Sequence, residues 1–190
     1  MAIDFETIIQ ESKASQNKDE LRELLPLVAK ISPKVIVEIG MWRGYSMELW
    51  HKAFAPELLI TIESEQEAFN FVRERIKNGE LAYMQPPAIQ ICGDSHDPKT
   101  SVNVYGFFFE PKYRGIDFLF IDGDHTYDAV KADFEEYLPL VRMGGIIVLH
   151  DAALRGNEKV EVWKFWDELK GYKKKMIVGK YGTGTGVIFL

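Results

Sequence analysis

Five apolar runs along this chain each reach an acidic residue as they end. They are Val35-Ile36-Val37-Glu38, Leu58 to Glu63, Ala88 to Asp94, Phe118 to Asp122 and Ile146 to Asp151. Most of the stretches between them are long enough for a helix. Buried strands alternating with helices predict an α/β fold with a parallel sheet covered on both faces. In such a sheet the carboxyl ends of the strands share one edge, and ligands bind there. The pattern therefore places Glu38, Glu63, Asp94, Asp122 and Asp151 around one crevice. A row of carboxylates repels itself, so its guest is expected to be positive or rich in hydroxyl groups.

The predicted strands cover Lys34–Ile39, Leu58–Ile62, Ile89–Cys92, Asp117–Ile121 and Ile146–Leu149. Helices are expected over Tyr45–Phe54, Glu65–Lys77 and Tyr127–Leu138, with a short one over Asp97–Tyr105. A further helix contains Val162, Phe165, Trp166 and Leu169. Residues 1–32 read as a helical segment packed on a single domain that covers 1–190. Its stripes are Phe5, Ile8, Ile9 and then Leu21, Leu24, Leu25, Val28, with Asp19 as a cap or first-turn charge. Pro26 is a candidate kink in the second stripe. Phe107-Phe108-Phe109 with Pro111 reads as a loop or a helix end on the sheet, and Gly144-Gly145 as the turn into the fifth strand. Two last strands, Lys175–Val178 and Val187–Leu190, are joined by a Gly-rich stretch too short for a crossover helix, so they form an antiparallel hairpin. The expected architecture is a doubly wound sheet of seven strands, mostly parallel, closed by that hairpin.

At 190 residues the chain suits one domain with a full core. A net charge of −6 argues against a general nucleic-acid binder, because phosphate binding needs a basic face. Lys173-Lys174-Lys175 is the one dense basic run, read as a solvated strand start. Cys92 is the only cysteine, which excludes an internal disulfide and favours a reducing compartment. The first residues lack a signal-peptide pattern, and no apolar run is long enough to span a bilayer. A cytoplasmic protein with no membrane partner is the expectation.

Glu38-Ile39-Gly40-Met41-Trp42-Arg43-Gly44 follows the first strand and opens a helix. A dinucleotide fingerprint would place a glycine at Trp42, to make room for pyrophosphate, and the indole would fill that space. No Gly-Lys-Ser/Thr ending for a P-loop is present either. A cofactor without phosphate fits better, and Glu38 suggests that its partner is cationic.

The architecture and this turn resemble the class I S-adenosylmethionine-dependent methyltransferases, whose fold is Rossmann-like. Their first motif is an acid, one residue, Gly, three residues, Gly, matched by Glu38, Gly40 and Gly44. The likeness is sharpest from Phe118 to Ala152. There Phe-Leu-Phe-Ile-Asp-Gly-Asp-His-Thr-Tyr-Asp-Ala-Val and Gly-Gly-Ile-Ile-Val-Leu-His-Asp-Ala resemble the macrocin O-methyltransferase and cephalosporin-hydroxylase-like group. The resemblance implies S-adenosylmethionine as cofactor and a small-molecule hydroxyl, of a sugar or a phenol, as acceptor.

On that reading Gly40 and Gly44 shape the turn beneath the methionine part. Glu38 meets the ammonium through water or fixes the turn. Tyr45 packs beside the sulfonium or in the core, and Ser46 meets the carboxylate or caps the helix. Glu63 stands about 20 residues past the glycine turn, the spacing of a ribose-binding acid; its alternative is a helix N-terminal acid, a place that Ser64 or Glu65 could fill instead. Gly93-Asp94-Ser95 resembles the adenine-binding turn, with Asp94 accepting from the amino group or capping the next segment. His96 leans into the site or stays outside it.

Asp122, His125 and His150 are the candidate catalytic residues, since neighbouring strand ends lie ~5 Å apart and their groups can converge. An alcohol acceptor needs a base, and His125 or His150 has a suitable ordinary pKa. A divalent metal such as magnesium is the other route. Related metal-dependent O-methyltransferases place an acid after strand four and an Asp-Asn pair after strand five. Asp122 and Asp151 match the acids, Ala152 replaces the Asn, and His150 is a candidate third ligand. Two rivals use the same residues. One is a metal-dependent hydrolase built on Asp94, His96, Asp97, Asp122, Asp124, His125, His150 and Asp151; the other is a non-catalytic S-adenosylmethionine-binding module. The amino-terminal helices can pack on the domain or against a second copy, so a homo-oligomer is one expected form.

Overall fold

The structure is a computed structural model that describes residues 3–109 and 112–190. Its strands are β1 (Val35–Ile39), β2 (Leu58–Glu63), β3 (Ile89–Cys92), β4 (Ile116–Ile121), β5 (Val141–Leu149), β6 (Lys173–Ile177) and β7 (Thr185–Phe189). They form one sheet in the order β3-β2-β1-β4-β5-β7-β6. β1 to β5 run parallel, while β7 pairs antiparallel with both β5 and β6. The doubly wound, seven-stranded expectation holds.

Alternate residues of each strand enter opposite faces, as the pleat requires. One face buries Val37, Ile60, Leu119 and Ile147 beneath α5 (Pro98–Gly106), α6 (Tyr127–Tyr137) and α7 (Val162–Glu168). The other buries Ile36, Leu59, Phe118, Phe120 and Val148 beneath α1 (Phe5–Glu11), α2 (Lys18–Ala29), α3 (Tyr45–Phe54) and α4 (Gln66–Lys77). Trp50 is fully buried on the second face, with its ring centroid 4.9 Å from that of Phe120 and 5.3 Å from that of Phe118. Helix α2 continues through Pro26. Its cap is Asn17, whose side chain accepts from the amides of Asp19 and Glu20, which leaves Asp19 as a first-turn charge.

Gly144-Gly145 is not the turn into β5. The strand begins at Val141, and the pair carries a register shift against β4. The Gly144 amide donates to the Leu190 carbonyl at 2.9 Å, and the Leu190 amide to Gly145 at 3.1 Å. The carboxyl-terminal strand thus stabilises what local composition reads as a turn. Phe107 and Phe108 pack partly buried on the core and Phe109 is exposed; Pro111 lies outside the described residues. Lys174 donates to the Trp166 and Leu169 carbonyls, while Lys175 forms an exposed ion pair with Glu23 at 2.8 Å, as a solvated strand start would. Among the described residues no helix is long and apolar enough to cross a membrane.

Candidate active site

The parallel ladder continues one residue beyond β1, β3, β4 and β5. The amides of Gly40, Gly93, Asp122 and His150 donate to carbonyls of the neighbouring strand at 2.9–3.0 Å. Backbone pairing therefore fixes where each strand-end side chain starts. The edge opens into a cleft of about 1170 Å³, large for a small-molecule site. Residues following β1 to β5 line it, joined by Lys13 and Ser15 to Asn17 before α2 and by Tyr181 to Thr183 between β6 and β7.

Gly40 has φ +90°, and a Cβ there would lie 2.0 Å from the Asp122 carbonyl oxygen. The β1 turn thus packs directly on the end of β4, and only glycine permits it. Gly44, also at positive φ, caps α3 after its amide closes the turn onto the Met41 carbonyl at 2.8 Å. Trp42 corrects the expectation that its indole fills the turn. With φ +43°, its amide donates to Glu63 Oε2 at 2.6 Å, and its side chain is 56% exposed at the cleft rim. The Arg43 guanidinium lies 4.8 Å from its ring centroid. The case against a dinucleotide rests on the glycine spacing, not on a plug.

Glu63 is buried at the cleft. Its second oxygen accepts from the Glu65 amide at 2.8 Å, so each carboxylate oxygen keeps a lone pair for a guest. Ser64, Gly93 and Ser95 line the same end, and Asp94 projects into it, exposed. Asp97, rather than Asp94, caps α5. Tyr45 also lines the cleft, with the Arg75 guanidinium 4.5 Å from its ring centroid.

Glu38 stands behind this wall rather than on it. Its Oε1 accepts from the Trp50 indole at 2.8 Å, while Oε2 is buried without an aligned partner. Burial pushes its carboxyl up to about 8, despite the opposing pull of Ser46 and Trp50. Ser46 is buried beside it and is not the helix cap.

At the other end Asp122, His125, His150 and Asp151 converge. His125 Nδ1 is 2.7 Å from Asp151 Oδ2, and its Nε2 is 3.7 Å from Asp122 Oδ1. His150 Nδ1 lies 3.0 Å from Asp122 Oδ1 and 3.1 Å from Asp151 Oδ1, without hydrogen-bond alignment to either. Burial pushes His150 down, but the Asp122 carboxylate foremost, and then Asp151 and Glu20, raise it to about 9. The Asp151 contact raises His125 against its burial. Asp151 is pushed up by burial but ends lowered by His125, His150 and Thr183. It sits at φ +58°, a left-handed conformation costing an Asp about 1 kcal/mol or more.

Among the described residues no three acidic, imidazole or thiol groups converge as a ligand set. Asp122, His150 and Asp151 instead face one another, and Ala152 is buried against Gly186, whose Cβ would come within 3.0 Å of it. A divalent ion on Asp122, His150 and Asp151 is therefore not shown among the described residues, nor is a binuclear set for the hydrolase rival.

Two further contributors come from the chain's amino-terminal side. Gln16 is buried, and its Nε2 donates to Asp122 Oδ2 at 2.9 Å across 106 positions. Glu20, also buried, accepts from the Gly184 amide at 3.0 Å, the Thr185 hydroxyl at 2.6 Å and the Gly179 amide at 3.3 Å. The glycines of that loop follow from this docking. A Cβ on Gly182 would lie 1.9 Å from Glu20 Oε1, and one on Gly179 2.2 Å from Asn17 Oδ1. Sequence reasoning missed both residues. The one available signal was a Gly-rich loop with more glycine than a hairpin turn needs.

The sheet order, the single antiparallel strand and the cleft at the parallel strand ends define the class I methyltransferase architecture. Residues 37–152 match a family profile described as a methyltransferase domain, and the chain belongs to that family. It is similar to the uncharacterized protein y4gI of Sinorhizobium fredii, 28% identical over 169 residues; the match covers 86% of this chain but only 18% of that protein. Its fold is similar to the O-methyltransferase TomG of Streptomyces achromogenes, solved in complex with SAM, with a TM-score of 0.64, 20% identity, and 89% and 78% of the two chains covered. An O-methyltransferase from Bacillus cereus in complex with SAH gives a TM-score of 0.66, 19% identity, and 98% and 90% coverage.

Proposed function

We propose that this chain transfers a methyl group from S-adenosylmethionine to a hydroxyl of a small molecule, a sugar or a phenol. The observation that carries the reading is the division of one cleft. Gly40, Glu63 and Asp94 border one end, and His125, held by Asp151, stands at the other. S-adenosylmethionine, when bound, supplies a methyl group already activated by its sulfonium charge. Toward it, Glu63 offers free lone pairs to the ribose and Asp94 offers a carboxylate to the adenine amino group. Gly40, Gly44, Tyr45 and Ser46 form the turn nearest the methionine part, and Glu38 braces that turn from behind. The acidic lining suits a guest with positive charge.

His125 is the proposed base. Its Nδ1 is engaged by Asp151, which orients the ring and stabilises the imidazolium formed when Nε2 takes the acceptor's proton. His150, raised to about 9, is charged at neutral pH and unsuited to accept a proton. It serves as the fixed cation between Asp122 and Asp151. Gln16 and His150 together hold Asp122, which faces the acceptor.

The test is calorimetry with S-adenosylmethionine and S-adenosylhomocysteine, followed by a screen for label transfer to small hydroxylated acceptors. Micromolar cofactor binding that Glu63→Ala and Asp94→Ala weaken is expected. Binding of neither ligand would remove the proposal.

A further inference from the structure

Asp133 of α6 is a buried acid without a part in the chemistry above. Its side chain is 1% exposed, and neither oxygen has an aligned hydrogen bond. Burying a carboxyl is costly without compensation, so its surroundings carry information. His96 Nε2 lies 3.0 Å from Asp133 Oδ1 and 3.2 Å from the Ala129 carbonyl. One turn further along α6, Tyr137 donates to the Ser95 carbonyl at 3.1 Å. Helix α6 thus grips the Gly93–His96 turn at two points. On its other side His96 Nδ1 is 3.4 Å from Asp94 Oδ1, the oxygen that also accepts from the His96 amide at 2.9 Å.

Burial pushes the Asp133 carboxyl up, against the pull of Ser95 and His96. The His96 Nε2 faces only acceptors, so it carries a hydrogen. Nδ1 faces the Asp94 carboxylate on the other side of the ring. One oxygen of Asp94 is thereby occupied from within the turn. The other is left toward the cleft that Ser95, His96 and Ala129 line.

We propose that Asp133 and His96 are a positioning pair for a 6-aminopurine nucleoside, fixing Asp94 so that its outer oxygen receives the exocyclic amino group. The inference rests on the assignment of Asp94 to the adenine and deepens it. Neither residue touches the reacting atoms.

The experiment measures the affinity of the full chain for S-adenosylhomocysteine and for S-inosylhomocysteine, which carries an oxygen in place of the amino group. The wild type should prefer the adenosyl ligand at least about tenfold, the worth of one charge-assisted hydrogen bond. His96→Ala and Asp133→Asn should each erase most of that preference by weakening the adenosyl ligand alone, and His96→Gln, which restores a donor, should recover part of it. A merely structural role would weaken both ligands together. If Asp133→Asn fails to fold, His96→Ala decides alone, because that side chain is one-third exposed. An unchanged preference in His96→Ala, or equal losses for both ligands, overturns the pair while leaving the cofactor assignment standing. A wild type that binds neither ligand overturns the assignment itself, and the pair with it.

Discussion

Glu38→Gln isolates the cost of a carboxyl that the fold buries and does not need charged. Folding raises Glu38 from 4.5 to about 8, chiefly by desolvation. Between those values the native state keeps a proton that the unfolded chain has lost. The group's contribution to stability is therefore complete below about pH 4.5, declines as pH rises and is gone above about pH 8. At about 1.4 kcal/mol per unit, the decline is on the order of 3–5 kcal/mol. Glutamine imitates the protonated acid and keeps an oxygen for the Trp50 indole, 2.8 Å away in the wild type. Urea unfolding of both proteins at several pH values, from about 5 to 9, is the assay, and comparing them cancels the titration of shared groups. The two should agree within ~1 kcal/mol at the acid end, and the variant should lead by ~3 kcal/mol or more at the alkaline end. A difference that does not change with pH, or a wild type that is the more stable at pH 9, refutes the argument. Because Glu38 lies behind the cleft wall, S-adenosylhomocysteine should bind the variant within about threefold of wild type, well under 1 kcal/mol.

Three other perturbations address the cleft. Gly40→Ala drives a Cβ against the Asp122 carbonyl and strains a positive φ, so it should cost ~3 kcal/mol or more in thermal unfolding and abolish cofactor binding by calorimetry. His125→Ala should lower kcat by about 10² to 10⁴ while the dissociation constant for S-adenosylhomocysteine stays near wild type; an equal loss in both would move His125 out of the base role. Prolonged dialysis against a chelator should leave methyl transfer intact, and activity that returns only with an added divalent ion would reverse the reading of the Asp122, His150 and Asp151 cluster.

What could be read in advance followed from local rules. Period-two burial in Ile36, Val37, Phe118 and Leu119 separates two covered faces, and acids at the strand ends share an edge because parallel strands do. Residues whose partners are distant in the chain escaped. Glu20 has the look of a first-turn helix charge, and only Gly184 and Thr185 make it a buried acceptor. Gly144-Gly145 has the composition of a turn until Leu190 pairs with it. Asp133 sits mid-helix, where an acid is ordinarily solvated, and His96 is what distinguishes it. Trp42 escapes local rules for another reason. Its place in the motif was right, but its backbone dihedral decided where the indole went, and residue type alone does not specify that dihedral.

The Glu20 carboxylate also bears on when the active cleft exists. It joins α2 to an amide 164 positions later, so the wall carrying Tyr181 to Thr183 has no seat until the final hairpin has formed. Contacts of such long separation are late and slow to close. Local fraying of the hairpin would likewise open the reaction end while the glycine turn and Glu63 remain in place. Protection of the Gly184 amide from hydrogen exchange, compared with that of the Gly40 amide, would report whether the two ends of the cleft open together or apart.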